Sequence, residues 1–147
     1  MRKRALVWMV LLSLGTVLSG CSTVYHAKWR KAAAKPTTNE PVGAWEGRWT
    51  SGVNGHNGKL RCIVSASPEG GYDFHFWARW QIFAGTYHLQ PEVIREEESF
   101  RFQGTKNLGR LVGGEYSFDG RVNGNSFAAT YKSRLDNGRF ELMRHSE

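Results

Sequence analysis

The chain has 147 residues, 13% of them aromatic, and a formal charge of +7, a length that fits one domain around a single core. The charge excess sits outside the region of strand-like pattern. Arg2, Lys3 and Arg4 open the chain, Lys28, Arg30, Lys31 and Lys35 follow before Glu40, and residues 42–147 carry thirteen Lys and Arg against twelve Asp and Glu. A nearly neutral domain without a Lys/Arg cluster lacks the electrostatic footprint that drives phosphate binding, which excludes nucleic acid as the expected partner.

The first segment places three cations before an apolar run from Ala5 to Leu18 and then small residues, the order of an export signal. The run is about 14 residues, short of the roughly 20 that a helix needs to span a bilayer. Leu18-Ser19-Gly20-Cys21 follows and resembles the lipobox of bacterial lipoproteins. That resemblance implies a diacylglycerol on the Cys21 thiol, cleavage before it, and a further palmitate-like chain on the new amino group. Several chains anchor more firmly than the single chain that binds marginally. Ser22 stands in place of the Asp that tends to retain such proteins at the inner membrane, which in a Gram-negative cell envelope implies the outer membrane. Residues 1–20 are thus expected to be the signal and 21–41 a lipidated basic tether. Ala32-Ala33-Ala34 in the tether admits a short helix before Pro36, and the tether is expected to hold the domain off the bilayer, its basic stretch Lys28 to Lys35 either facing anionic headgroups or simply solvated. With Cys21 taken by lipid, Cys62 is the only remaining thiol, in phase with Leu60 and Val64 and expected to be buried and inert.

Residues 42–147 alternate apolar and polar positions with period two. Trp45, Gly47 and Trp49 share one face, with Glu46, Arg48 and Thr50 opposite. Leu60, Cys62, Val64 and Ala66 continue the pattern, then Tyr72, Phe74, Phe76, Ala78 and Trp80. A strand is expected from about Phe83 to Val93, although Ile82 to Leu89 is apolar on both phases and leaves its register open. Phe100 and Phe102, Tyr116 and Phe118, Phe127 to Tyr131, and Phe140 and Leu142 mark the rest. Between them, Pro68-Glu69-Gly70-Gly71, Asn123-Gly124-Asn125 and Asp136-Asn137-Gly138 supply turn residues. About eight short strands in hairpin order predict an all-β, antiparallel up-and-down barrel, or else a sandwich.

Gly43-Ala44-Trp45 at the start of the first strand and Arg144 at the end of the last resemble the calycin pattern of lipocalins, fatty-acid-binding proteins and avidins. The resemblance implies that Arg144 packs across Trp45 where the barrel closes. The chain is shorter than a lipocalin and shows no helix after the last strand, so a shared ligand is not implied.

Little in the sequence suggests catalysis. The histidines lack metal-ligand spacing, Glu96, Glu97 and Glu98 are adjacent rather than paired, and no Gly-x-Ser-x-Gly, P-loop or dinucleotide fingerprint occurs. No enzyme activity, metal or cofactor is expected. The distinctive feature is the aromatic face, and an eight-stranded interior is just wide enough to be filled by side chains or to hold one small ligand. One expectation is therefore a monomeric, membrane-anchored module that binds a small hydrophobic ligand among Trp49, Tyr72, Phe74, Trp80 and Tyr131. The other is a structural or interaction lipoprotein with a solid core, whose outer face uses an exposed Trp77, between His75 and Arg79, to dock an envelope protein.

Overall fold

A computed structural model describes residues 22–35 and 41–145; the expected signal and Cys21 lie outside the described residues. Nine strands form, β1 Gly43–Ser51, β2 Asn57–Ala66, β3 Tyr72–Trp80, β4 Phe83–Leu89, β5 Glu92–Glu96, β6 Ser99–Asn107, β7 Glu115–Asn123, β8 Ser126–Lys132 and β9 Asn137–Arg144. They pair antiparallel in the order β4-β3-β2-β1-β9-β8-β7-β6-β5. Every ladder joins strands consecutive in the chain except β1 with β9, where Trp45 stands opposite Arg144 and Trp49 opposite Phe140. The sheet curls into an all-β, barrel-like wall. Among the described residues no ladder joins β4 to β5.

The strand count is nine rather than eight because the stretch expected to run from Phe83 to Val93 is broken at Gln90-Pro91. Proline offers no N–H to a ladder and restricts the residue before it, so pairing cannot run through that point. Pro91 instead packs on β6, its Cα 3.3 Å from where a Cβ on Gly104 would stand. β5 then pairs with β6 alone.

Period-two alternation gives the wall an inner apolar face. Trp45, Leu60, Phe74, Phe76, Phe102, Phe118, Phe127 and Phe140 are among the residues of one buried cluster. The connections divide between two ends. The Trp45 end holds the turns β2–β3, β5–β6 and β7–β8, and the Trp80 end holds β1–β2, β3–β4, β6–β7 and β8–β9.

Residues 22–33 form a helix, α1, the short helix that the sequence admits before Pro36, and it lies on the outer face of β1 to β3. Tyr25 and Trp29, four residues apart and so on one helical face, are buried with Ala44 and Trp77 in a second cluster, and Ala32, Ala33 and Ile63 pack against it.

Candidate functional site

Three places combine unusual side chains: the Trp45 end, the inner aromatic face, and the outer face beneath α1. At the first, the Arg144 guanidinium carbon lies 4.2 Å from the Trp45 ring centroid. Arg144 Nη1 donates to the Val42 carbonyl at 2.8 Å and Nη2 to that of Gly124 at 3.4 Å, while Trp45 Nε1 donates to the Pro41 carbonyl at 3.0 Å. Burial lowers the Arg144 pKa from its ordinary value, and carbonyl dipoles with an indole face replace the lost water. Gly43 makes this approach possible. Its φ of +141° is one that side chains resist, and a Cβ there would stand 2.8 Å from Arg144 Nη1.

On the inner face the five candidate ligand residues are not gathered at one place. Tyr72, opposite Ala66, sits at the Trp45 end near the Phe100 ring. Phe74 is deep in the wall, 4.9 Å from Phe102 and 5.9 Å from Phe127 between ring centroids. Trp49, Trp80 and Tyr131 belong to the Trp80 end. Trp49 Nε1 donates to the Arg79 carbonyl, Tyr131 donates to Asp136 at 2.9 Å, and Trp80 is partly exposed beside His56 and Phe83. The hydrogen bond to Asp136 and, first, burial push the Tyr131 hydroxyl pKa upward. Between the two ends the rings fill the space. Even Gly120 has no room for a methyl group, since its Cβ would stand 2.4 Å from the Phe102 ring and 2.6 Å from Ala129. Cys62 is fully buried here, and burial pushes its thiol pKa well up.

The outer face overturns one expectation. Trp77 is 6% exposed, covered by α1, with its ring 4.6 Å from His26 and its Nε1 donating to Ser22 Oγ at 3.1 Å. It anchors the chain's own helix and is not free to dock another protein. Tyr25 donates to the His75 carbonyl and Trp29 Nε1 to that of Trp45, each at 3.1 Å. Arg61 completes the seat, its guanidinium carbon 4.1 Å from the Trp29 ring centroid and paired with Glu46.

Beside α1 the fold assembles a cluster that sequence spacing alone hides. His75 and His88 are cross-strand partners whose rings stack at 3.9 Å, and the Asp73 carboxylate meets His88 Nδ1 at 2.9 Å. Burial, then the neighbouring His88, lowers the His75 pKa to about 4. Among the described residues no group of three His, Cys, Asp or Glu side chains is placed to hold a metal ion. Over β6 to β8 an open groove is lined by the outward side chains Gln103, Ser117, Asp119 and Thr130 and by Phe118 and Tyr131 of the inner face.

Comparison with known proteins finds no matching family model, no matching curated protein and no matching solved structure. The fold and the local chemistry therefore carry the functional reading.

Proposed function

We propose that the protein is a monomeric, lipid-anchored envelope protein whose calycin-like barrel has a solid aromatic core and acts through its exterior. The observation that carries this reading is the continuous ring packing of the inner face, from Phe74 through Phe102 and Phe127, with Phe102 and Phe127 centroids 5.1 Å apart. A bound apolar molecule would have to displace rings already in contact, losing their mutual packing. The separation of Tyr72 from Trp49, Trp80 and Tyr131 also favours a solid core over a ligand cup. The calycin likeness is supported by the stacked Trp45 and Arg144 pair at the closing ladder. The anchor reading rests on the lipobox-like Leu18-Ser19-Gly20-Cys21.

Tryptophan fluorescence titrated with fatty acids and apolar dyes tests the core. A flat response is expected, and saturable quenching would overturn the solid-core reading in favour of a small-ligand binder. The anchor is tested by metabolic labelling with a palmitate analogue, which Cys21→Ser is expected to abolish.

A further inference from the structure

We infer that the Trp80 end of the barrel is a membrane-docking rim that seats against anionic lipid headgroups and orients the domain end-on to the bilayer. The inference takes from the proposed function only that the protein is held at a membrane, and it draws on different residues. Each of the four connections at this end presents an exposed apolar side chain. These are Val53 after β1, Ile82 and Phe83 at the β3–β4 turn, Leu111 and Val112 in the 3-10 turn Arg110–Val112 before β7, and Leu135 after β8. Ile82 is 84% and Leu111 100% exposed. The three connections at the Trp45 end, residues 67–71, 97–98 and 124–125, contain no large apolar side chain. Apolar groups are usually scattered singly over a soluble surface; here they occupy every loop tip at one end.

Charge follows the same division. The Trp80 end carries Lys59 and Arg79 near the first two connections, Lys106 and Arg110 around the third, and Lys132 and Arg134 around the fourth. Among its few acids, Asp136 accepts hydrogen bonds from Ser51 at 2.6 Å and from Tyr131. Counted with the same flanking residues, the opposite connections carry Glu69, Asp73, Glu96, Glu97 and Glu98 against Arg95, Arg101 and Arg121, an acidic balance. Apolar tips ringed by cations match the acyl boundary beneath an anionic headgroup layer, and a half-exposed Trp80 suits that interface.

α1 begins at mid-height of β3 and runs towards the Trp45 end. Ser22 is held by Trp77, three residues before Trp80 on the same strand, about 10 Å at the rise of a strand. Cys21 is the next residue in the sequence. The rival orientation lays the outward face of α1, with Lys28 and Lys31, on the membrane. That face offers Val24 as its exposed large apolar side chain.

The test uses the full lipidated protein reconstituted into vesicles of phosphatidylcholine alone or of an equimolar mixture with phosphatidylglycerol. An environment-sensitive NBD label is placed in turn on Ile82→Cys, Leu111→Cys, Glu97→Cys and Lys31→Cys. Cys62 is buried and stays unlabelled. Labels at 82 and 111 are expected to shift blue and to be quenched by brominated acyl chains in the anionic vesicles, while those at 97 and 31 remain solvent-like. If 82 and 111 stay solvent-like, or if 31 shifts in their place, the rim is overturned. The mass of the N-terminal peptide reads Cys21 acylation separately, so an unmodified peptide would sink the anchor while the label positions still judge the rim.

Discussion

Arg144 concentrates more interactions than any other charged side chain at the closing ladder, and its energetics are accessible to single substitutions. Arg144→Ala removes the indole contact and two carbonyl hydrogen bonds. A loss of about 2–3 kcal/mol in urea unfolding is expected. Arg144→Lys keeps the charge but cannot span both carbonyls and the ring, so it should recover only part of that loss. A second residue sets an acid limit. His75 titrates near 4 in the folded chain, against 6.5 for the ordinary side chain, through burial and then His88, with Asp73 opposing and Lys28 of α1 reinforcing the shift. Below pH 6.5 the unfolded chain takes up a proton that the folded chain refuses until about pH 4. Stability is therefore full above that window and falls as pH drops through it. His26, also lowered by burial and then by Arg61, acts in the same direction. Urea midpoints between pH 7.5 and 4.5 should fall, and His75→Gln should make the slope shallower without removing it.

At the scale of elements, α1 is the piece whose role the sequence hides. Its i, i+4, i+7 signal is present in Tyr25, Trp29 and Ala32, but it spans only three turns, and nothing local indicates that a complementary face waits on β1 to β3. If residues 21–41 were only a tether, a fragment beginning at Val42 would fold unaided. The structure predicts that this fragment exposes Ala44, Ile63 and Trp77 and is markedly less stable than the chain with α1. Trp29→Ala should reproduce much of the effect, at about 3 kcal/mol in equilibrium unfolding. Most strands were legible because one face of each is apolar and its turns carry Gly or Asn. The β3–β4 register was not, since Ile82 to Leu89 is apolar on both phases. Once the two-residue turn Gln81-Ile82 is known, with Gln81 at φ 51°, pairing Trp80 with Phe83 places His75 opposite His88. The Trp45 and Arg144 pair was readable through the calycin resemblance, whereas the cover over Trp77 depends on a helix distant in sequence.

For the molecule as a whole, the strand order contains a simpler chain than the one nature wrote. Read from β5, the sheet runs β5-β6-β7-β8-β9-β1-β2-β3-β4, so every ladder would join consecutive strands if the natural ends were connected and the chain opened at Gln90-Pro91. The ends permit it. His145 stacks on Trp29, centroids 4.7 Å apart, and Ser22 lies seven helical residues away, about 10 Å, within reach of a short Gly/Ser linker. In the natural order the β1–β9 ladder closes a loop of nearly the whole domain, an entropic cost met before most contacts can compensate for it. In the permuted order the same ladder becomes a local connection and relative contact order falls. The circular permutant is therefore expected to keep the native circular dichroism spectrum and to refold faster than the natural chain in stopped-flow measurements. A permutant that folds no faster would mean that closing this ladder does not limit the natural chain. The gap between β4 and β5 is thus a point where connectivity can be exchanged without breaking a single strand pair.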